Sequence, residues 1–235
     1  MRIFAVMLGL LPLLMSCAAS KTTVGNSMKP TIYYKPTVYY DDTGCSVDQL
    51  KEIQDPTGLI LIILCESDYA QCLMQGSCFV LSDGNLRSYN YHSTINGTPR
   101  FIEVNLDDCP YGYGVKSSCL DPYYSVAADL KFHKAGDVIF VPRLQGAKLP
   151  SGEVHDGFLV IRDSGGGIIG EHRFDFFTGF YDHLARPNTL ARLGFGDPKN
   201  RFEYRKATEE EATNVRKMRN YPKLTDEVLR SGKRR

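Results

Sequence analysis

Two aspartates that flank a glycine-rich segment are the residues of this chain best suited to chemistry. Asp163 opens the segment Asp163–Gly170, which reads DSGGGIIG, and Asp175 follows shortly after it. A carboxyl group near a second carboxylate can have its pKa raised enough to remain protonated, and it can then act as a general acid. The glycines permit positive φ and a close approach of the backbone, as a chain crossing between two other strands requires. The spacing therefore favours acid–base chemistry, although a glycine run taken alone is also typical of a simple turn.

Asp175 belongs to the segment Arg173–Phe177, which alternates as a β-strand does. Alternation places Phe174 and Phe176 on one face of the strand. Asp175 lies on the other face, together with Arg173 and Phe177. An acid between phenylalanines is costly to bury unless it is solvated or has a partner. We therefore expect Asp175 to face a groove.

The elements that must position these acids are mostly short strands. From about residue 45 to residue 204, apolar or alternating runs are separated by turn signals, and His155 and Asp156 are expected in a hairpin turn. The predicted strands cover Gly58–Leu64, Cys78–Leu81, Phe101–Val104, Val126–Ala128, Val138–Pro142, Gly157–Ile161 and Arg173–Phe177.

Two helices are also predicted. Ser46, with Gln49 three residues later, is a candidate cap for a short helix that extends to Ile53. Thr208 and the acids that follow it form a capping box, and cations lie where the helix would end. Residues 205–235 are thus expected to form a charged surface helix with a basic tail.

The N-terminus has the pattern of an export signal. An apolar run too short to span a bilayer ends in Leu14-Met15-Ser16-Cys17, which resembles a bacterial lipobox with Cys17 as the lipidated residue. The residue directly after Cys17 is Ala18 and not an aspartate, which favours outer-membrane sorting and a periplasmic domain. Residues 18–44 contain the repeat KPTIYY-KPTVYY and are predicted to be an extended tether; an edge strand added to the core is the alternative.

Six further cysteines form an even set in the oxidising compartment that export implies, so we predict disulfides. The pairing is left open by the sequence, apart from a possible local bridge between Cys109 and Cys119. No CxxC pair is present and the histidines are scattered, so no metal and no other cofactor are expected. The remaining cysteines are Cys45, Cys65, Cys72 and Cys78.

Composition narrows the class of protein further. The 235 residues are 43% hydrophobic with a net charge of +1, which indicates one globular main domain, here residues 45–204, and argues against nucleic acid as a partner. A monomer is expected.

Four segments together resemble the 3D domain, named for three aspartates and found in the MltA family of membrane-bound lytic transglycosylases. They are Ser125–Asp129, Lys134–Pro142, Asp163–Gly170 and Asp175–Gly179, in a region of roughly residues 110–180. The resemblance implies a mainly β protein, a six-stranded double-psi β-barrel with N-terminal additions. Leu130 stands where the family has proline, Lys134-Ala135 where it has proline-leucine, and one extra residue separates Asp163 from Asp175.

The resemblance also implies an activity. Asp175 would be the catalytic acid, with Asp163 and Asp129 completing the site, in a lyase that cleaves the MurNAc–GlcNAc bond of peptidoglycan and leaves 1,6-anhydro products. Asp129 could instead cap a turn, and Asp163 could hold the Ser164-Gly165 backbone. Substrate contacts are expected from residues near these motifs: Tyr113, Ser125, Gly165, Gly166 and Phe177.

Other classes of function remain open. The family has a second domain that forms the far wall of its sugar groove, and this chain is shorter, so an expansin-like lipoprotein that binds or loosens the wall without cleavage is the alternative. A scaffold that recruits partners through residues 208–235 is a third possibility.

Overall fold

The computed structural model describes residues 25–40 and 44–219, which form two β-sheets and three α-helices. The strands are β1 (Asn26–Tyr33), β2 (Thr37–Tyr39), β3 (Leu50–Gln54), β4 (Ile60–Cys65), β5 (Ser77–Ser82), β6 (Asn85–Ile95), β7 (Thr98–Glu103), β8 (Ser125–Ala128), β9 (Val138–Phe140), β10 (Phe158–Asp163), β11 (Arg173–Phe177) and β12 (Phe202–Lys206). The helices are α1 (Glu66–Gln75), α2 (Thr189–Arg192) and α3 (Glu209–Met218).

One sheet closes into a six-stranded barrel with the order β1-β11-β8-β10-β9-β12. Two of its pairs, β1 with β11 and β8 with β10, are parallel, and the other pairs are antiparallel. Phe174 and Phe176 point into the barrel core and are fully buried there, as their alternation predicted. The predicted fold class, a mainly β protein with a six-stranded double-psi barrel, is confirmed by this closed sheet.

The second sheet has the order β2-β5-β6-β7-β3-β4. Helix α1 packs on it, and its own apolar core includes Ile53, Val80, Tyr89 and Phe101. The strands predicted between residues 58 and 104 are confirmed as β4, β5 and β7. Strand β6 was not predicted because its sequence, NLRSYNYHSTI, is largely polar.

The prediction of a tether over residues 18–44 is wrong where the structure describes that segment. Strand β1 is a member of the closed barrel and not an added edge, since it pairs with both β11 and β12. Strand β2 then pairs with β5 in the second sheet. The reason is burial: Met28 and Val38 are almost completely covered, and each belongs to one of the two cores.

The two helix predictions have different outcomes. Only one turn of 3-10 helix forms at Val47–Gln49, with the backbone N–H of Ser46 donating to Gln49 Oε1 at 3.3 Å, and the chain then enters β3. A helix as far as Ile53 is therefore wrong, because Ile53 is needed in the core of the sheet. Helix α3 is confirmed, with the Thr208 hydroxyl accepting from the Glu211 amide at 3.2 Å.

Disulfides are confirmed as well. The six cysteines pair as Cys45–Cys65, Cys72–Cys78 and Cys109–Cys119, the last being the local bridge. In the part of the chain that the structure describes, no helix has the length and apolar character needed to cross a membrane. The predicted signal peptide, Cys17 and the predicted basic tail lie outside the described residues.

Candidate active site

The two candidate acids lie in one row across the outer face of the barrel. Ala127 on β8 is the cross-strand neighbour of Asp175 on β11 and also of Asp163 on β10. The two acids are thus separated by two strand spacings, roughly 9–10 Å between their backbones. Ala127, whose side chain is a single methyl group, lies between the two acids and is itself almost fully buried. Thr31 on β1 extends the row beyond Asp175.

Strand β1 supplies a hydroxyl donor to each acid. Thr31 Oγ1 donates to Asp175 Oδ1 at 2.5 Å, and Tyr33 Oη donates to Asp163 Oδ2 at 2.9 Å. Thr31 and Tyr33 are two residues apart, so alternation places both side chains on the same face of β1. The backbone N–H of Ser164 also donates to Asp163 Oδ1, at 2.8 Å. Both oxygens of Asp163 are therefore occupied.

Burial controls the protonation of this cluster. Burial raises the pKa of Asp163 to about 6. The two hydrogen bonds to Asp163 lower this pKa, and the nearby charge of Asp175 raises it. Burial also raises the pKa of Asp175, while the Thr31 hydroxyl and the Arg173 cation lower it. The pKa of Tyr33 lies well above its usual value because of burial and both carboxylates, so its hydroxyl remains a donor. Two carboxyl groups whose pKa values are raised towards neutrality are suited to proton transfer.

These residues line a groove of about 950 Å³ between the barrel and the second sheet. The barrel side contributes the two aspartates, Ala127, Tyr33 and the glycine-rich segment. The opposite side is formed by the end of α1, by β6 and by the loop from Tyr113 to Val115. Its polar and aromatic members include Asn90, Tyr91, His92 and Thr94.

The structure brings together five of the eight catalytic and substrate-binding residues predicted from the sequence. Asp163, Asp175, Tyr113, Gly165 and Gly166 all line the groove. Tyr113 is placed there by the loop that the Cys109–Cys119 disulfide closes. The two glycines are exposed, and a Cβ at Gly166 would meet nothing within 4 Å, so this edge of the groove is open.

The other three lie away from the groove. Asp129 accepts the backbone N–H of Lys131 at 3.0 Å and that of Gly170 at 2.9 Å, so it stabilises a turn and fastens the glycine-rich segment to it. Ser125 is completely buried, and its Oγ accepts from the Asp121 amide at 2.7 Å. Phe177 is buried among Tyr33, Phe79 and Tyr111. The prediction of direct substrate contacts is corrected for Ser125 and Phe177, because both side chains are buried. Asp129 is partly exposed, but its carboxylate holds backbone groups of a turn and lies outside the groove.

Thr31, Tyr33 and the wall residues on β6 were not predicted from the sequence. A signal for the first two exists, since Thr31-Ile32-Tyr33 alternates polar and apolar side chains, but the prolines on either side favour an extended tether over the same segment. Asn90 and His92 carry no local signal. Within residues 25–40 and 44–219, no group of three or more His, Cys, Asp or Glu side chains is arranged to hold a metal ion.

Comparison with known proteins agrees with this architecture. The sequence model of the 3D domain matches residues 124–186, which contain β8 to β11 and both groove aspartates. No curated protein sequence matches the chain.

Several solved structures are similar to this one. The membrane-bound lytic murein transglycosylase of Agrobacterium tumefaciens superposes with a TM-score of 0.50 at 16% identity, covering 79% of this chain and 75% of that one. MltA of E. coli with bound chitohexaose gives a TM-score of 0.49 at 14% identity, covering 78% and 73%. MltA of Neisseria gonorrhoeae gives 0.47 at 14% identity, covering 77% and 72%. Residues 124–186 therefore match the 3D domain, within a fold that is similar to that of the Agrobacterium transglycosylase.

Proposed function

We propose that this protein is a lytic transglycosylase-like enzyme that cleaves the MurNAc–GlcNAc bond in the glycan strands of peptidoglycan. The observation that carries the proposal is the position of Asp175, a carboxyl group with a raised pKa in a groove of about 950 Å³, beside a second carboxyl group. The similarity of the fold to that of lytic transglycosylases supports the same class of substrate.

Asp175 alone carries the proton in this mechanism. Its proton moves to the departing glycosidic oxygen as the bond between that oxygen and the anomeric carbon breaks. The resulting carboxylate then accepts the proton of the muramoyl 6-hydroxyl while the hydroxyl oxygen bonds to the anomeric carbon. One product ends in a 1,6-anhydro ring and the other in a free hydroxyl, and no water or cofactor is consumed.

Asp163 supports Asp175 without carrying the proton. Each of its two oxygens already accepts a hydrogen bond, from the Tyr33 hydroxyl and from the Ser164 amide, and these bonds fix the orientation of the carboxyl group. The charge of Asp175 raises the pKa of Asp163, and because the coupling of two like charges is reciprocal, an ionised Asp163 favours the protonated form of Asp175. A glycoside hydrolase would need its second carboxylate to attack or to activate water, and the engaged oxygens of Asp163 argue against that role.

Location and anchoring belong to the same proposal. The lipobox at Cys17 and three disulfides support export to the periplasm with attachment to the outer membrane by a lipid. Replacing Cys17 by serine should abolish incorporation of labelled palmitate and release the protein from membranes. Labelling of the Cys17→Ser variant would contradict the anchor.

The activity is tested on purified sacculi with a soluble form that lacks residues 1–17. We expect the wild type to release 1,6-anhydro muropeptides, identified by mass, and Asp175→Asn to reduce release by a factor of about 10²–10⁴. Asp107→Asn, a change at an exposed acid outside the groove, is the matched control and should retain full activity.

Two other outcomes would contradict the proposal in different ways. Products with ordinary reducing ends would identify a hydrolase. Pelleting of the protein with sacculi and no release at any pH would identify the wall-binding alternative, in which the same groove holds glycan without cleaving it.

A further inference from the structure

Lys35 is a fully buried lysine at the junction of the barrel and the second sheet. It lies two residues after the end of β1, and its backbone N–H donates to the carbonyl of Gly179 at 2.6 Å. Its side chain reaches β5, where Nζ lies 4.7 Å from the centre of the Phe79 ring. A buried ammonium group is costly, so its surroundings must replace the water it has lost.

Three oxygens from two other parts of the chain replace that water. Lys35 Nζ donates to Ser88 Oγ at 2.8 Å, to Asn90 Oδ1 at 3.2 Å and to the carbonyl oxygen of Tyr111 at 3.4 Å. An ammonium group has three N–H donors, so each of them has an acceptor. None of these partners is a carboxylate, and burial lowers the pKa of Lys35 to about 7.

The contact with Asn90 leads directly to the groove. Because Oδ1 of Asn90 accepts from Lys35, its amide nitrogen is turned to the other side, where Nδ2 donates to the carbonyl of Tyr113 at 2.7 Å. Asn90 and Tyr113 both line the groove that contains Asp175. The loop packs so closely here that a Cβ at Gly112 would lie 2.2 Å from Asn90 Oδ1 and 2.9 Å from Lys35 Nζ.

We infer that Lys35 is a positioning residue: its ammonium orients the amide of Asn90 and holds the loop of residues 109–119, which carries Tyr113, as one wall of the groove. Lys35 touches no substrate, and its effect on catalysis rests on the proposed function. Its effect on the loop is independent of the proposed function, because the contacts that hold the loop lie within the protein itself. The two claims can therefore be tested separately.

The loop is monitored with a tryptophan, since the chain contains none. Tyr113→Trp places the single tryptophan of the protein on the loop. Adding Lys35→Met, which preserves length and removes the donors, should shift the emission to longer wavelength and increase quenching by acrylamide. Lys51→Met, at a partly exposed lysine on β3 paired with Glu66, is the control and should change neither.

Asn90→Asp separates positioning from stability. The carboxylate still accepts from Lys35 and provides it with a counter-ion, but it has no hydrogen to donate to the Tyr113 carbonyl. We expect a thermal midpoint no lower than that of the parent, together with the same fluorescence changes as in Lys35→Met. Unchanged emission and quenching in Asn90→Asp would overturn the inference, and this result decides the question even if Lys35→Met fails to fold.

Kinetics with Tyr113 restored connect the loop to the reaction. For soluble glycan strands, Asn90→Asp should raise KM by about tenfold, the effect of one lost hydrogen bond, with a smaller change in kcat. A fall in kcat with KM unchanged would contradict positioning of the substrate wall. If the wild type cleaves no glycan, the proposed function fails, while the fluorescence result still decides the role of Lys35.

Discussion

Asp175 and Asp163 share Ala127 as a neighbour but receive different hydrogen bonds. Asp175 has one hydroxyl donor, Thr31, whereas Asp163 has a phenol and a backbone amide. Different residues therefore influence the pKa of each carboxyl group, and a separate substitution can change each pKa. This arrangement makes the pH dependence of activity a test of which acid carries the proton.

Thr31→Val should move the alkaline limb of the pH–activity profile to higher pH. The Thr31 hydroxyl stabilises the ionised form of Asp175 and lowers its pKa; without it the acid stays protonated further into the alkaline range, by about half to one pH unit. The measurement is kcat/KM for soluble glycan strands against pH. A shift to lower pH would contradict the assignment of the limb to Asp175.

Asp163→Asn should move the same limb in the opposite direction. The charge of Asp175 raises the pKa of Asp163, and because the coupling between two carboxylates is reciprocal, an ionised Asp163 favours the neutral form of Asp175. Removing that charge lowers the pKa of Asp175, so the fraction of protonated acid falls at lower pH. The same measurement of kcat/KM against pH detects this shift, and Thr31→Val, which shifts the limb the other way, serves as the comparison. If activity disappears at every pH, Asp163 takes part in proton transfer itself and the single-acid mechanism is wrong.

At the scale of elements, the loop closed by the Cys109–Cys119 disulfide lines the groove but belongs to no strand of either sheet. It carries Tyr113, which forms an isolated bridge with Cys119. Two of its residues, Lys116 and Ser117, adopt positive φ although they are not glycines. The disulfide and the hydrogen bond from Asn90 compensate for the lack of a regular strand here.

Replacing Cys109 and Cys119 together by alanine should lower the free energy of unfolding by roughly 2–3 kcal/mol, the entropy of a loop of this length, and reduce glycan cleavage. The matched control replaces Cys45 and Cys65, whose disulfide lies outside the groove and costs about as much when removed. Urea denaturation measures stability, and release of muropeptides measures activity. Equal activity in the two double variants would contradict a role for the loop in the groove wall.

At the scale of the whole molecule, residues 25–40 join the two sheets. Strand β1 closes the barrel, β2 forms an edge of the second sheet, and Lys35 lies between them. The segment also delivers both hydroxyl donors to the acids. Groove, barrel closure and the contact between the sheets thus depend on the same short stretch of chain.

A variant that begins at residue 41 should therefore fail to fold, whereas one that begins at residue 18 should fold. Without β1, the edges of β11 and β12 are unpaired and Met28 leaves a cavity in the barrel core. Near-ultraviolet circular dichroism and gel filtration distinguish a packed protein from an aggregated one. A compact, cooperative fold in the shorter variant would show that β1 is dispensable.

Local pattern was sufficient for much of the barrel. Alternation in Arg173–Phe177 predicted which face of β11 is buried, and the Thr208–Glu211 capping box predicted where α3 begins. These features depend on neighbours within one turn or one strand, so the sequence by itself determines them. The even set of cysteines predicted disulfides in the same way, but not all of the pairs.

The partners of the site residues were decided only by the tertiary structure. Thr31 and Asp175 are 144 positions apart, and the register of two parallel strands brings them together. The repeat in the N-terminal segment shows this most directly, because Lys29 and Lys35 precede nearly identical residues, yet Lys29 is exposed and Lys35 is fully buried. Their local sequences encode the same extended backbone, and the difference arises because one copy pairs with the barrel while the other enters the space between two sheets.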